Sequence, residues 1–339
     1  MWKSFHYLEK LNTYRASSSS PTPHTHTSEY FIKYMKDQRY KLGNGSFGSV
    51  YRIDQGFTLK KLNNDITPSH VSKCLENEKA VINYMIEKNI EHENLVKVFF
   101  MKDKITIYEF LFGTFGTINF QFSSNLFQFI KTVSPDVSLV IILKGNFFKQ
   151  IYDGLSHLHK NNIYHRDLKP DNIMITGNLL GGGIIKIIDY NLAYFFEPEK
   201  DNKNIILPGK IGAPIYRSPI ATGFDTSNPE ECKMYFILSD IWSLVITFYE
   251  LIYIDIIFIK IKKKQTYLDY LSKDIVSEGK KLPITNKIGY DFDFLLKFVL
   301  VCMCGNHDSL TTINYKVIIN QVMNIINLMA ITSYNVNFN

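Results

Sequence analysis

The sequence predicts an α+β fold in two parts, a small antiparallel sheet with one helix followed by a larger, mainly helical part. Short β-rich segments separated by turn signals run from residue 40 to residue 110, with one helical stretch among them. Beyond residue 125 the apolar residues recur mainly at helical spacing. The length of 339 residues fits about two domains or one large unit with two lobes.

The elements of the first part follow one another at short intervals. Asp54-Gln55-Gly56 is a hairpin turn signal between strands at residues 49–53 and 57–62. Apolar residues at helical spacing predict a helix over residues 71–88. Further strands are expected at residues 40–42, 96–101 and 105–110, and the main helices of the second part at residues 139–159 and 240–254.

Composition divides the chain into four segments. Residues 16–28 are polar and contain prolines, and such a segment buries too little apolar surface to offset the entropy lost on ordering. We therefore expect residues 1–36 to form a flexible arm. Residues 37–110 and 125–335 are predicted to form the two lobes, and the Gly-, Ser- and Thr-punctuated residues 111–124 a connection with an insertion.

Overall composition excludes several classes of protein. Hydrophobic residues make up 45% and charged residues 21%, which is typical of a globular protein and not of a disordered chain or a coiled-coil rod. The net charge of +6 is too small and too scattered for a dedicated nucleic-acid binder. The four cysteines have the spacing of neither a disulfide framework nor a zinc site, which predicts a reducing, cytoplasmic location, with the nucleus also open.

A membrane location is not predicted. The first ten residues mix charged and aromatic residues and lack the apolar run of a signal peptide. Residues 242–261 are strongly apolar but contain Glu250 and Asp255, which would be costly inside a bilayer. A buried central helix is the better interpretation.

A glycine-rich turn is the first candidate binding motif. It has the pattern G-x-G-x-x-G-x-V and leads into a strand, whereas the dinucleotide fingerprint leads into a helix. Glycines in a strand–turn–strand allow backbone N–H groups to lie against phosphate oxygens. The motif comprises Gly43, Asn44, Gly45, Ser46, Phe47, Gly48 and, closing it, Val50.

Lys60 is the second candidate, on the third predicted strand. Its ammonium group would bind phosphate oxygens beneath the glycine turn, although a lone strand lysine is often only a surface residue. Glu78 on the following helix is expected to pair with it, because the apolar spacing puts Glu78 on the inward face. Glu76 is the rival partner.

The third motif is the string from His165 to Asn172, His-Arg-Asp-Leu-Lys-Pro-Asp-Asn. With the glycine turn and Lys60, it resembles the signature of the eukaryotic-type protein kinases over roughly residues 40–329. The resemblance implies the bilobal protein kinase fold. It assigns Asp167 as the acceptor of the substrate hydroxyl proton, and Lys169, typical of Ser/Thr kinases, as a contact of the γ-phosphate.

Two further segments resemble the family. Ile188-Asp189-Tyr190-Asn191 is similar to the D-F-G segment, which implies that Asp189 and Asn172 bind Mg²⁺. Asn191 replaces the glycine of that segment and is expected to tolerate the positive φ of the turn. Residues 240–243 resemble the D-x-W-S helix start, which implies that Asp240 bonds to the backbone of the catalytic loop.

The resemblance also implies an adenine site. Glu109 and Leu111 fall at the hinge, where their backbones would pair with the adenine edge, and Tyr108 would close the back of the pocket. Thr58 replaces the usual alanine and adds a hydroxyl to an apolar ceiling. The residues implied to enclose the adenine ring are Val50, Thr58 and Met174.

The activation segment departs most from the family pattern. Ala213 replaces a threonine, and Ile220 replaces a glutamate whose arginine partner is replaced by Leu310. Between residues 192 and 212 there is no Ser or Thr, and Tyr194 has the only hydroxyl. We therefore expect activity without Ser/Thr phosphorylation of this segment. The anion for Arg166, the arginine of the catalytic loop, is then expected from Glu197, Glu199 or Asp201.

The resemblance implies a monomeric serine/threonine protein kinase that transfers the γ-phosphoryl group of Mg-ATP to protein substrates. The departures at Asn191, Ala213 and Ile220 motivate an alternative, a pseudokinase scaffold that binds ATP or a partner without turnover. A kinase that phosphorylates small molecules is a third hypothesis, and the string from His165 to Asn172 argues against it.

Overall fold

The computed structural model describes residues 28–44, 48–53, 56–63, 69–102, 104–111, 113–115, 118–120, 137–178, 183–197, 212–213, 216–218 and 228–252. The chain divides into two compact units. The first contains the described parts of residues 1–73, 82–91 and 96–110, and the second contains residues 74–81 and 92–95 and the described parts of residues 111–339.

The first unit is built on a five-stranded antiparallel sheet, as predicted. Its strands are β1 (Lys41–Asn44), β2 (Gly48–Ile53), β3 (Phe57–Leu62), β4 (Val98–Lys102) and β5 (Ile105–Glu109), in the order β1-β2-β3-β5-β4. The β2–β3 and β4–β5 connections are short because antiparallel neighbours can be joined by a tight turn. Residues 40–42 were predicted as a strand, but Tyr40 ends a short 3₁₀ helix and β1 begins at Lys41.

Helix α2, which follows the sheet's third strand, extends over Ser69–Glu87. Its side chains at Glu78, Val81, Ile82 and Met85 are buried at the spacing of one helix face. Two residues beyond the end of the helix, Asn89 has φ +51°, and the next N–H, that of Ile90, donates to the Met85 carbonyl at 2.9 Å. This is the left-handed C-terminal cap that asparagine adopts more readily than most residues.

The predicted flexible arm is wrong at its C-terminal end, because Ser28–Lys36 forms a helix, α1. Phe31 is 2% exposed and Tyr34 is 1% exposed, although the polar stretch before them gave no sign of burial. Two aromatic residues three positions apart lie on one helix face and pack together on the sheet. The buried cluster consists of Phe31, Tyr34, Tyr51, Ile53, Leu59 and Ile107.

Replacing Phe31 by alanine is expected to lower the free energy of unfolding by about 3 kcal/mol or more, because it empties a filled core site. Urea unfolding of the two proteins measures the loss. Ile32→Ala is the matched control, since the Ile32 side chain is 38% exposed. Equal effects of the two substitutions would show that α1 is not part of the core.

Among its described residues, the second unit contains two long helices, α3 (Val137–Lys160) and α4 (Pro229–Ile252), and two sheets of short strands. In α3 the buried side chains Phe147, Phe148, Ile151, Leu155 and Leu158 follow helical spacing. β8 (Ile163–Tyr164) pairs with β11 (Tyr194–Phe195), and β9 (Ile173–Asn178) pairs with β10 (Ile184–Ile187), both in antiparallel fashion.

The predicted connection at residues 111–124 contains two strands that the sequence did not reveal. β6 (Gly113–Phe115) and β7 (Ile118–Phe120) form an antiparallel hairpin. β6 also pairs in parallel with β9, Gly113 opposite Gly177 and Thr114 opposite Asn178. The insertion is therefore attached to the strand that follows the predicted catalytic loop.

Helix α4 begins eleven residues earlier than the predicted start at Asp240. Asn228 caps it, since its Oδ1 accepts the Glu230 N–H at 3.0 Å and its amide group donates to Glu231 Oε1 at 3.4 Å. Such reciprocal capping marks a helix start. Within the described residues, no helix is both long and apolar enough to span a membrane. Glu199, Asp201, Ile220, Asp255 and Leu310 lie outside the described residues.

Candidate active site

The loop after β8 is fixed by one carboxylate of α4. Asp240 is fully buried and accepts the His165 N–H at Oδ2 (2.9 Å) and the Arg166 N–H at Oδ1 (2.8 Å). Arg166 has φ +63°, a conformation that is unfavourable for a residue with a Cβ. The two hydrogen bonds stabilise this turn, so that Asp240 makes the backbone contact that the resemblance implied.

A histidine that the motif analysis did not single out completes this support. His159 Nε2 lies 2.9 Å from Asp240 Oδ2, and the ring sits in the last turn of α3. Burial alone would raise the pKa of Asp240. The hydrogen bond and electrostatic attraction of His159, the electrostatic influence of His165 and the Arg166 N–H together outweigh burial and hold that pKa below its usual range. The buried carboxyl is therefore ionised at neutral pH.

Asp167, the residue implied to accept the substrate proton, is 9% exposed. Its Oδ2 accepts hydrogen bonds from Lys169 Nζ at 2.6 Å and Asn172 Nδ2 at 3.0 Å. Its Oδ1 accepts the backbone N–H of Ala213 at 3.1 Å. A carboxylate has about four acceptor sites, so three donors fix its orientation and one site remains for a substrate group.

Asn172 is the third residue of this cluster and ends the 3₁₀ turn Pro170–Asn172. Its amide nitrogen donates to the backbone carbonyl of Asp167 at 2.8 Å as well as to its carboxylate. The amide oxygen is thereby turned away from Asp167. A carbonyl oxygen beside an anionic carboxylate is the kind of ligand that Mg²⁺ prefers.

Asp189 lies on the neighbouring segment. The Ile188 N–H donates to the Asn172 carbonyl at 2.9 Å, and His165 Nε2 lies 3.0 Å from the Ile188 carbonyl oxygen. These contacts hold the chain next to the catalytic loop immediately before Asp189. Asn172 and Asp189, the two predicted metal ligands, therefore lie on adjacent, hydrogen-bonded segments.

The positive φ that Asn191 is expected to tolerate does not occur at that residue. Asp189 has φ +66°, whereas Asn191 is not among the described residues with a positive φ. Asn191 is 4% exposed and Tyr190 is fully buried. The turn is thus made two residues earlier than expected, and position 191 has no need of glycine in this conformation.

The end of the activation segment contacts the catalytic loop through its backbone. Gly212 has φ +88°, and a Cβ there would lie 2.7 Å from the Arg166 carbonyl oxygen. Arg217 Nη2 donates to the Gly212 carbonyl at 2.8 Å, and the Ser243 hydroxyl donates to the Tyr216 carbonyl at 2.7 Å. Only glycine fits this approach to the loop.

Gly212→Ala is expected to destabilise the protein by more than the roughly 1–2 kcal/mol cost of a left-handed alanine, because the methyl group also meets the Arg166 carbonyl. Gly56→Ala is the matched control, since Gly56 has φ +82° with open space around it. Thermal unfolding compares the two. A loss at Gly212 no larger than at Gly56 would rule out the contact with Arg166.

A second support, near the middle of α3, was also missed from sequence. The amide nitrogen of Asn94 donates to Gln150 Oε1 at 2.9 Å and to the Ile185 carbonyl at 3.0 Å. A Cβ on Gly154 would lie 3.0 Å from the Asn94 carbonyl, so that glycine permits the close approach. These contacts fix β10, which leads to Asp189, on α3.

In the first unit the predicted nucleotide residues share one face of the sheet. Val50 is paired with Lys60, and Lys60 with Thr106, so these side chains point the same way. Thr58 is two residues from Lys60 and faces the same side. Leu59, between them, joins the cluster that α1 covers. Alternation along β3 therefore separates the Lys60 face from the α1 face.

The structure also describes four other residues that were predicted to belong to the site. Glu78 is fully buried in α2, in the stretch that belongs to the second unit, whereas Lys60 belongs to the first. The Glu109 N–H already donates to the Lys97 carbonyl at 3.0 Å. Leu111 is buried, and Met174 lies on β9 opposite Lys186.

The glycine turn itself is described only in part. Gly43 and Asn44 lie in β1, and Gly48 opens β2, where a Cβ would collide with the Lys61 backbone carbonyl. Gly45, Ser46 and Phe47 lie outside the described residues.

These features define a protein kinase domain, and the chain belongs to that family: residues 37–317 match the family described as protein kinase domain. It is similar to calcium-dependent protein kinase 4 of Plasmodium falciparum, 30% identical over 235 residues that cover 64% of this chain and 38% of that protein. It is also similar to "Probable cyclin-dependent kinase 8" of Dictyostelium discoideum, 29% identical over 250 residues covering 70% and 59%. A third relative is myosin light chain kinase 2 of Rattus norvegicus skeletal and cardiac muscle, 25% identical over 241 residues covering 69% and 35%.

The chain spans well under two thirds of the length of these relatives. Helix α1 lies before the matched residues, although Phe31 and Tyr34 belong to the core of the first unit.

Proposed function

We propose that this chain is an active serine/threonine protein kinase that transfers the γ-phosphoryl group of Mg-ATP to a protein hydroxyl. The observation that carries the proposal is the held carboxylate of Asp167, with three donors and one remaining acceptor site. That site would accept the hydrogen bond of the substrate hydroxyl and take its proton as the phosphoryl group moves.

Lys169 supplies positive charge at the same point. Its ammonium group lies 2.6 Å from Asp167 Oδ2 and is partly exposed, so it can also contact an incoming phosphate oxygen. Charge that develops on the transferred group is stabilised by such preplaced donors. Lys60 and the backbone of the glycine turn would bind phosphate oxygens of ATP.

Asn172 and Asp189 are the residues that would hold Mg²⁺. An amide oxygen and a carboxylate are hard oxygen ligands, and both lie on segments fixed by backbone hydrogen bonds. The ion would neutralise phosphate charge when bound. Two protein ligands leave the other coordination positions to phosphate and water, as Mg²⁺ requires.

Alanine at position 213, where the family has a threonine, still contacts Asp167. The Ala213 backbone N–H donates to Oδ1 in place of a hydroxyl. Because every residue except proline has this donor, the contact does not depend on the side chain. The carboxylate of Asp167 therefore stays held despite the departure, as transfer requires.

The test is a transfer assay with γ-labelled ATP, Mg²⁺ and generic protein substrates, followed by identification of the labelled amino acid. Label on serine or threonine that is lost in Asp167→Asn supports the proposal. Label on tyrosine alone would overturn the specificity, and label that persists in Asp167→Asn would overturn the assignment of the base.

A scaffold without turnover is the second candidate, because hydrogen bonds already engage both oxygens of Asp167. It predicts that Mg-ATP raises the unfolding temperature while no label reaches any substrate. Thermal unfolding with and without Mg-ATP, run beside the transfer assay, separates the two functions.

A further inference from the structure

The side chain of Arg166 lies among aromatic rings. Its guanidinium carbon is 5.5 Å from the centre of the Tyr194 ring and 5.7 Å from the centre of the Phe236 ring. Both distances fall within the range of about 6 Å in which a ring attracts a cation. Arg166 directly precedes Asp167, so the group held here is next to the proposed base.

The rings are themselves fixed. Phe236 is 2% exposed and stacks on Tyr164, with 5.0 Å between ring centres and 26° between ring planes. Tyr194 lies 5.4 Å from Phe236 and is paired with Tyr164 across β11 and β8. The three rings thus join the strand before the catalytic loop, the start of the activation segment and α4. We name Tyr164, Tyr194 and Phe236 the aromatic clamp.

Helix α4 holds Arg166 at two points. Phe236 and Asp240 are four residues apart and so lie on the same face of the helix. Asp240 accepts the backbone N–H of Arg166, and Phe236 lies against its guanidinium group. One turn of the buried helix α4 therefore fixes both the backbone and the side chain of Arg166.

We propose that Phe236 is a positioning residue for phosphoryl transfer: through the aromatic clamp it holds Arg166, and with it the catalytic loop, without phosphorylation of the activation segment. The inference rests on the proposed function. The segment offers no Ser or Thr between residues 192 and 212, and its one hydroxyl belongs to Tyr194, a member of the clamp. The planar guanidinium group of arginine stacks on rings, which lysine cannot reproduce.

The test compares transfer rates of phosphatase-treated proteins. Phe236→Leu is expected to lower kcat by about 3- to 30-fold, the range between an exposed and a desolvated cation–ring contact, with the KM for ATP unchanged. Phe148→Leu, which removes a fully buried ring from α3, is the matched control. Tyr194→Leu provides a second route to the same loss, and Tyr194→Phe, which keeps the ring, is expected to restore most of the rate.

A double-mutant cycle distinguishes positioning from general damage. If Phe236 acts through Arg166, the kcat losses of Arg166→Ala and Phe236→Leu do not multiply in the double variant. Multiplying losses, a kcat loss no larger than that of Phe148→Leu, or inactivity of the phosphatase-treated parent after activity before treatment would each overturn the inference.

Failure of the proposed function is recognised separately. If the untreated parent transfers no label, the same cycle is measured on urea unfolding, where the contact predicts coupling between Arg166 and Phe236. Additive stability losses there would overturn the clamp itself, whereas coupling without transfer would retain the contact and reject the enzyme.

Discussion

Replacing Asp167 by asparagine is expected to lower the rate of phosphoryl transfer by about 10²- to 10⁴-fold, the usual contribution of a general base. The side-chain amide of asparagine is too weakly basic to accept the substrate proton. It also places an N–H₂ group beside Lys169 Nζ or the Ala213 N–H, which are both donors. Single-turnover transfer from labelled ATP measures the loss.

The control for this substitution is Asp153→Asn, which neutralises a half-exposed carboxylate of α3 that pairs with Lys149. Its transfer rate is expected to stay close to that of the parent, because exposed ion pairs contribute little. Stabilisation by Mg-ATP should persist in both variants, which shows that nucleotide binding survives. An Asp167→Asn rate within a few-fold of the parent would mean that another group accepts the proton.

Replacing Asp240 by alanine is expected to lower the free energy of unfolding by about 3–5 kcal/mol. The change leaves the N–H groups of His165 and Arg166 without their acceptor, and His159 without its carboxylate, in a fully buried site. Denaturant unfolding measures the loss, and transfer activity should fall with it because the turn at Arg166 is released. A loss below about 1 kcal/mol would contradict the importance of this site.

The stability contribution of Asp240 is expected to depend on pH in a defined direction. Its pKa in the folded protein is lowered, so the contribution is complete above the unfolded pKa of about 3.9 and is lost as pH falls through the lower folded pKa. Unfolding of the parent and of Asp240→Asn, compared from neutral pH downward, tests this. The difference between the two should shrink only in that acidic window.

The sequence was most informative where chemistry depends on side-chain type and on simple periodicity. The strand predicted at residues 57–62 is β3, and the string of residues 165–172 identified the loop. The sheet could be predicted because its strands are close in sequence and separated by turn signals.

The sequence was least informative where a contact uses the backbone or joins distant segments. The Ala213 N–H carries no residue signature, and the hydrogen bond of Asn94 to Gln150 joins positions 56 residues apart. Residue type indicates only that Asn191 tolerates a positive φ, whereas the neighbouring contacts determine that the turn lies at Asp189. Phe31 is buried because it packs against residues of the sheet that come later in the sequence. The polar residues just before it gave no sign of this packing.

The parallel pairing of β6 with β9 has a consequence for the order in which parts of the chain fold during synthesis. The β6–β7 hairpin leaves the ribosome before the catalytic loop has been made, and an isolated two-stranded hairpin is only marginally stable. At about 5–20 residues per second, it therefore waits several seconds for the strand that secures it. Nascent chains whose β9 has not yet emerged from the ribosome should remain open to proteolysis at the hairpin, and those in which β9 has emerged should resist it.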